Sequence, residues 1–203
     1  MSPESTLMRI LQAARREFRE RGFRGASLRS IVKSLGMTTG AFYGYYKSKE
    51  ELFAALVEDH YRYLMDRFRQ AQEAFARLPS QRQPEVLGDF SGACMFDMLH
   101  YAYDHLEDCQ LLLCSAEGTR FAGLVDEMVQ IETDATHSYF QVLEELGRPV
   151  PDIDLRLEHI LITGMFHTFF ELIIHAMPIG EAENYLREMR AFYTAGWMKI
   201  MGQ

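Results

Sequence analysis

Few side chains in this sequence combine into a pattern that could catalyse a reaction. His137, and His167 four residues before Glu171, are the only groups whose types and spacing suit acid–base chemistry. The sequence contains no nucleophile–base–orienter pattern, no paired-carboxylate motif and no glycine-rich phosphate loop. We therefore expect a protein that is not an enzyme.

The cysteine and histidine side chains offer at most part of a metal site. His105 and Cys109 lie one helical turn apart and could share an ion with Cys94 or His100. Two ligands at helical spacing do not complete a zinc site, so we expect no metal and no other cofactor. The three cysteines, which include Cys114, form no Cys-x-x-Cys pair, and reduced thiols in a cytoplasmic protein are the natural interpretation.

Binding of a polyanion has better support, because the charges are segregated along the chain. Residues 1–50 hold ten Lys and Arg against four Asp and Glu, a net charge of +6, whereas residues 51–203 carry −14 and bring the total to −8. A basic first segment would bind a polyanion at one end of the molecule, and the acidic remainder would repel it elsewhere. Chance segregation of solvated charges is the alternative interpretation.

Three short helices are predicted to position the basic segment. The first spans about residues 5–21 and carries an apolar stripe that includes Leu11 and Phe18. Ser27 can cap a second helix, which Gly36 ends, and Thr38 can cap a third helix that runs to about Tyr45. Two helices joined by a short turn that contains glycine are the signature of a helix-turn-helix.

The start of the third predicted helix is suited to contact with DNA. A helix that points its N-terminus at the major groove offers free backbone N–H groups and a positive dipole end. Thr38 and Thr39 bring short hydroxyl groups there, while Gly40 and Ala41 leave room for close approach. Capping of the helix without DNA contact is the alternative role for Thr38.

The rest of the chain is predicted to be helical as well, which makes the fold class all-α. Ser48 and Glu51 form a capping box before a long helix that ends at about Leu78, and residues 78–84 form a loop. Five further helices are expected at about 84–103, 106–114, 118–146, 152–177 and 181–201, which gives about nine helices in all. The apolar stretch 160–177 contains a glutamate and two histidines, so we expect it to be buried against protein and not in a membrane.

Two apolar patterns are predicted in these later helices, and ordinary core packing is the alternative for each. Soft and aromatic side chains suit an adaptable ligand pocket, with the candidates Met98, Tyr101, His105, Cys109, Phe121, Met128, His137, Phe140, Phe166, His167 and Phe170. The last two helices are apolar on more than one face, so a second copy of the chain could cover the extra face. The candidates for that contact are Gly164, Thr168, Leu172, Leu186, Met189, Phe192, Ala195 and Gly196.

Residues 7–57 resemble the N-terminal domain of the TetR/AcrR family of regulators. The resemblance rests on Ile10-Leu11, Ala14, Phe18, Gly22-Phe23, Ser27-Leu28-Arg29, Ile31-Val32, Gly36 to Tyr43, Tyr45-Tyr46 and Lys47 to Leu52. It implies that Phe42 and Tyr46 lie in a three-helix core. It also implies DNA contacts from Ser27, Arg29, Thr38, Thr39, Gly40, Ala41, Tyr43, Tyr45 and Lys49, with Arg24 and Lys47 as lesser candidates. Gly44 and Tyr45 depart from the residues that are common in the family, which leaves the base contacts open.

The resemblance further implies a transcriptional regulator, a repressor that a small-molecule effector releases from a palindromic operator in double-stranded DNA. A homodimer is expected, because one short helix buries too little surface to be specific alone. On this interpretation residues 1–50 form a DNA-binding domain and residues 51–203 a ligand-sensing and dimerisation domain. A non-specific architectural DNA protein is the alternative, which the acidic remainder of the chain disfavours.

Overall fold

In a computed structural model of the protein, residues 3–200 are described, apart from the side chains of residues 3 and 88–91. These residues form nine α-helices and one 3-10 turn (Ser80–Arg82), and none of them lies in a strand. The all-α fold predicted from the sequence is confirmed. The helices are α1 (Pro3–Gly25), α2 (Leu28–Ser34), α3 (Thr39–Tyr43), α4 (Lys49–Ala76), α5 (Gln83–Asp104), α6 (Leu106–Ser115), α7 (Leu124–Glu145), α8 (Leu155–Ile174) and α9 (Ile179–Ile200).

The described chain divides into two compact units. The head unit contains the residues up to Tyr63 together with His105–Gly123, and the body unit contains Leu64–Asp104 and the residues from Leu124 onward. This division differs from the boundary expected at residue 50, because α4 contributes to both units and α6 belongs to the head unit. The functional division into residues 1–50 and 51–203 stays a prediction.

An aromatic core holds the helices of the head unit together. Phe18, Phe42 and Phe53 are fully buried, and Tyr46 is nearly so. The ring of Phe53 packs edge-on against Phe18, with 5.0 Å between the ring centroids, and against Phe23, with 5.4 Å. Phe42 and Tyr46 therefore occupy the core positions that the resemblance implies.

Left-handed glycines set the turns between the first helices. Gly22 has a φ of 63° and Gly36 a φ of 65°, values that residues with a Cβ rarely adopt. Gly22 kinks α1, which continues to Gly25 beyond the predicted end at residue 21. Gly36 follows α2 and separates it from α3, which ends at Tyr43 and not at Tyr45.

Helix α6 packs against α1 inside the head unit, a pairing that the sequence analysis did not anticipate. Arg15 on α1 makes two hydrogen bonds to Asp108 on α6, at 2.6 and 2.7 Å. Cys109 on the same helix is fully buried. The segment after α6 forms turns, with the Thr119 N–H donating to the Ala116 carbonyl at 2.9 Å, so α7 begins at Leu124 and not near residue 118.

The body unit is built mainly from α7 on α8 and from α5 on α9. Helix α8 is long and apolar enough to cross a membrane by length and composition alone. Seven of its side chains are nevertheless buried in the body unit, among them Ile162, Phe166 and Phe169. The other residues of α8 are exposed or half-buried, so the expectation that the stretch 160–177 lies against protein stays a prediction.

Candidate nucleic-acid interface and ligand cleft

The N-terminus of α3 is an exposed turn above the buried ring of Phe42. The Thr38 hydroxyl accepts a hydrogen bond from the Ala41 N–H at 3.2 Å and so caps the helix, as the sequence predicts. Thr39, Gly40 and Ala41 are exposed with it. Because the first N–H groups of a helix have no carbonyl partner within that helix, this end can donate to phosphate or base acceptors.

The tyrosines around α3 take different positions. The side chain of Tyr43 is 51% exposed and lies edge-on to Phe42, with 5.9 Å between the ring centroids. Tyr45 is half-buried. Burial raises the pKa of Tyr46, and the nearby charge of Glu51 adds to the increase. Tyr43 is therefore the tyrosine of this group that solvent or DNA reaches most easily.

A carboxylate from α1 fixes the start of α2. Glu17 is 9% exposed and accepts hydrogen bonds from the Ser27 N–H at 3.0 Å and from the Ser30 hydroxyl at 2.8 Å. Ser27 occupies the N-cap position, but its own side chain makes no capping hydrogen bond. Ser27 is thus at the predicted N-cap position, but Glu17 supplies the side-chain acceptors at the N-terminus of α2. Ser27 itself is exposed.

Lys49 is bound to the protein itself. Its ammonium donates to the Phe23 carbonyl at 2.7 Å and to the Ala26 carbonyl at 3.1 Å, and it lies 4.4 Å from the centroid of the Phe23 ring. An ammonium has three donors, so few remain for a phosphate. The phosphate contact that the resemblance implies for Lys49 stays a prediction, and the geometry adds a structural role at the end of α1.

The positive charge of the head unit is partly neutralised by α6 and the turn after it. Arg15 pairs with Asp108, Arg19 with Glu107 at 3.7 Å, and Arg24 with Glu117 at 2.8 Å. Among the described residues, three exposed cations near α2 and α3 make neither an ion pair nor a side-chain hydrogen bond: Arg29, Lys33 and Lys47. Lys33 was not among the predicted contacts, although its place at the end of α2 could have suggested it.

The body unit contains an open cleft of about 390 Å³. Helices α4, α5, α7, α8 and α9 line it, with rings from Phe68, Phe75, Phe140 and Trp197 and with the thioethers of several methionines. Tyr139, which also lines the cleft, forms a small core with Leu143, and Phe75, Phe140 and Trp197 pack against this core. An apolar, ring-walled cleft of this kind suits a small organic ligand.

Of the eleven predicted pocket residues, only Phe140 lines this cleft. His105, Cys109 and Phe121 belong to the head unit, where Phe121 packs on Tyr61 at 5.4 Å, because α6 and its following turn lie against α1 and not in the body. The others lie elsewhere in the body unit: Met98, Met128, Phe166 and Phe170 are buried, Tyr101 is half-buried, His167 is exposed, and His137 bonds to Glu158 at 2.8 Å.

A carboxyl group that the sequence analysis missed lines the cleft. Glu132 on α7 accepts a hydrogen bond from the Gln72 side-chain amide at 2.6 Å. Burial raises the pKa of Glu132 to about 7, although the bond from Gln72 opposes the increase. In the sequence Glu132 is one of 29 acidic residues, and nothing in its neighbours marks it as buried.

The two buried thiols, those of Cys94 and Cys109, give no sign of activation. Burial raises the pKa of Cys94 to about 11 and that of Cys109 to about 12. Cys114 is exposed. Among the side chains that the structure describes, no three His, Cys, Asp or Glu groups lie close enough together to hold a metal ion.

The residues predicted for a dimer contact fall into three groups. Thr168, Phe192, Ala195 and Gly196 are exposed, and Phe192 is 73% exposed. Gly164 and Met189 are half-buried, and Met189 lines the cleft. Leu172 and Leu186 are buried inside the chain, 3% and 2% exposed, so they belong to the core of the body unit and not to an outer face.

Comparison with known proteins agrees with this architecture. Residues 10–56 match the sequence profile of bacterial regulatory proteins of the tetR family. The chain is 39% identical over 202 residues to the HTH-type transcriptional regulator UidR of Escherichia coli (strain K12), a match that covers 98% of this chain and 92% of UidR. It is 49% identical to the HTH-type regulator YdgC of Bacillus subtilis (strain 168) over 51 residues, or 26% of that protein.

Solved structures share the fold. Salmonella enterica GusR superimposes with a TM-score of 0.53 at 19% identity, covering 100% of this chain and 98% of GusR. SCO3833 from Streptomyces coelicolor A3 superimposes with a TM-score of 0.56 at 16% identity, covering 91% of this chain and 88% of SCO3833.

An exposed helix-turn-helix on an all-helical chain, together with these relatives, defines a DNA-binding transcriptional regulator and not an enzyme. The chain belongs to the TetR family.

Proposed function

We propose that this regulator is a repressor, which binds a palindromic operator in double-stranded DNA as a homodimer and leaves it when a small-molecule effector binds the body unit. The observation that carries the proposal is the exposed N-terminus of α3, where Thr38, Thr39, Gly40 and Ala41 surround helix N–H groups that have no carbonyl partner within the helix. As a DNA regulator, it would act in the cytoplasm.

The proposed DNA contacts combine backbone positioning with base reading. Ser27 and Arg29 at the start of α2 would bind phosphates, and the free cation Lys47 would add to that attraction. Thr39, Gly40, Ala41 and Tyr43 would approach base edges and the neighbouring backbone in the major groove. Gly40 supports close approach, because a Cβ there would meet nothing in the chain within 4 Å, so the space in front of it is open.

Exposed apolar side chains on the last two helices support the homodimer. Ile160 on α8 is 63% exposed, and Phe192 on α9 is 73% exposed, next to the small residues Ala195 and Gly196. Exposed rings and aliphatic groups of this size are costly in water unless a partner covers them. A second copy of the chain would do so by presenting the same face, as a twofold axis requires.

The ring-walled cleft supports the effector. A ligand in the body unit can lower operator affinity only if it binds unequally to the dimer forms that fit and do not fit both half-sites. Helix α4 contributes residues to both units and would carry such a change. Because coupling between two binding sites is reciprocal, the effector lowers the affinity for the operator by the same factor by which the operator lowers the affinity for the effector.

Selection of bound sites from a random DNA pool tests the function. We expect an enriched palindrome, with half-sites at least about one helical turn apart, bound by two copies of the chain. If the affinity shows no sequence preference and rises equally for all DNA sequences at low salt, the protein is an architectural DNA protein, and the proposal is contradicted. Tyr43→Ala in α3 should remove the sequence preference, while the exposed Tyr185→Ala in the body unit serves as the matched control.

A further inference from the structure

The ligand cleft of the body unit has one polar side chain whose surroundings are unusually apolar. Glu132 is half-buried and lines the cleft together with Phe68, Phe75 and Phe140, and burial raises the pKa of its carboxyl group. Its single hydrogen bond among the described residues comes from the uncharged amide of Gln72, at 2.6 Å to Oε2. Among the described residues, neither a cation nor a second donor is bonded to this carboxyl group, so Oε1 is available to a ligand.

The neighbour of Glu132 adds a second acceptor to the same wall. Because the Gln72 Nε2 donates to Glu132, the amide oxygen of Gln72 remains as an acceptor. Gln72 makes no other hydrogen bond within the described chain and lines the cleft. The pair Glu132–Gln72 therefore presents hydrogen-bond acceptors, which pair with donors on a ligand in the cleft.

We propose that the effector of this regulator is a ring-bearing molecule with a hydrogen-bond-donating head, an ammonium or hydroxyl group, which docks on Oε1 of Glu132 while its ring packs against Trp197 and Phe140. This inference rests on the proposed function, because it names the chemical class of the effector for the same cleft. The apolar walls supply most of the contact area, and Glu132 fixes the orientation.

Donors are favoured over acidic head groups for an electrostatic reason. Above its pKa of about 7 Glu132 is mainly charged, and a carboxylate on the ligand would then face it in a site of low polarity, where repulsion between like charges is strong. Arg190 also lines the cleft, but its guanidinium packs over Gly92 on α5, where it occupies the space that a Cβ would need. An acidic ligand that bound through Arg190 would show the opposite preference, so the two arrangements can be separated by experiment.

Trp197 makes the test direct, because it is the single tryptophan of the sequence and lines the cleft. The probes are phenethylamine, phenethyl alcohol and hydrocinnamate, which share a benzene ring on a short arm and differ in the head group. Titration of the full-length protein without DNA at about pH 8, above the pKa of Glu132, followed by Trp197 fluorescence and by calorimetry, gives the affinity for each. We expect phenethylamine and phenethyl alcohol to bind at least about tenfold more tightly than hydrocinnamate.

Glu132→Gln removes the charge and keeps the shape, so it should abolish this preference and improve hydrocinnamate binding relative to the amine. Glu144→Gln, at an exposed position of the same helix, should behave as the wild type. Equal or tighter binding of hydrocinnamate to the wild type, no binding of any probe, or an unchanged preference in E132Q would each overturn the inference.

The outcome is separable from the proposed function, because ligand preference is measured without DNA. A protein that binds the donors through Glu132 but selects no palindrome would retain the inferred ligand class and lose the repressor role. A protein that selects a palindrome but prefers hydrocinnamate would retain the repressor role and lose the inferred ligand class.

Discussion

Arg15 and Asp108, 93 residues apart in sequence, form a bidentate salt bridge between α1 and α6, with Nε to Oδ1 at 2.6 Å and Nη2 to Oδ2 at 2.7 Å. The Asp108 side chain is 14% exposed, and His60 lies 3.7 Å away on α4. The salt bridge thus connects α6, which follows α5 in the chain, to α1, the first helix of the head unit. The DNA-binding helices therefore share their compact unit with a later part of the chain.

We expect Asp108→Asn to destabilise the head unit by about 1–3 kcal/mol, because the paired charge-assisted hydrogen bonds to Arg15 are weakened. Burial by itself would raise the pKa of Asp108, but the nearby His60 ring and the hydrogen-bonded Arg15 guanidinium outweigh it and lower the pKa from its usual value. A carboxyl group with a lowered folded pKa stabilises the protein above its unfolded pKa, and the contribution is lost as the pH falls through the folded value.

The measurement is chemical unfolding at neutral pH and at pH values below 3.8. The difference between wild type and Asp108→Asn should shrink as the pH falls. Glu107→Gln is the matched control, since Glu107 is 69% exposed and its contact with Arg19 is long at 3.7 Å. A difference that stays constant at every pH would contradict the assigned role of the Asp108 charge.

Glu17 is predicted to stabilise the helix-turn-helix through the start of α2. Glu17→Ala leaves the Ser27 N–H and the Ser30 hydroxyl without their acceptor, and should cost about 1–2 kcal/mol, comparable to the loss of a helix cap. Thermal unfolding measures the effect. The exposed Glu20→Ala, on the same helix, should leave the melting temperature almost unchanged. If both variants melt alike, Glu17 does not act as the cap of α2.

The features that the sequence predicts well are those set by neighbours in the chain. The cap of α3 at Thr38, the turn at Gly36 and the buried Phe42 follow from local residue types and helical spacing. The dipole end of a short helix and its hydroxyl groups are local too, and so the exposed start of α3 could be located before the structure was known.

The features that the sequence predicts poorly depend on contacts between distant residues. Cys109 and Phe121 have the composition of pocket residues, but α6 and its turn pair with α1 in the head unit, which spacing along the chain does not reveal. From the sequence alone, Glu132 would be taken for a solvated charge. Only the fold brings it to a cleft that rings from distant helices also line. The net charge of residues 1–50 likewise overstates the free positive charge, because Asp108 and Glu117 neutralise two of its arginines.

Lys49 has two candidate roles, which predict different results for Lys49→Met. If its ammonium mainly binds the carbonyls of Phe23 and Ala26, the variant should lose about 1–3 kcal/mol of stability, and the salt dependence of DNA binding should not change. If it mainly binds phosphate, stability should hold, and the slope of log affinity against log salt should decrease by about one contact. We expect the first result, from unfolding and salt titrations on the same preparations.

Arg29 is expected to contribute through phosphate attraction. Its side chain is exposed and bonds to no described residue, so Arg29→Ala should leave folding intact. Binding should weaken by a similar factor for all DNA sequences, and the salt slope should decrease by about one. The exposed Arg148→Ala in the body unit is the control for a general loss of charge. A loss confined to the selected operator would indicate base reading by Arg29 instead.

Phe192 provides the sharpest test of the homodimer, because its ring is 73% exposed on α9 and belongs to no core. Phe192→Glu places a charge on the proposed twofold face, where it would meet its own copy or the apolar groups of the partner. The dissociation constant of the dimer should rise at least about thirtyfold, as for loss of a central aromatic contact, and analytical ultracentrifugation would show monomers. Met8→Glu changes a side chain that is 63% exposed in the head unit, and it should leave the dimer intact.

Because two heads are needed to bind both half-sites, the Phe192→Glu monomer should also lose high operator affinity while its helix-turn-helix stays folded. A variant that remained dimeric would place the twofold contact on another face of the body unit.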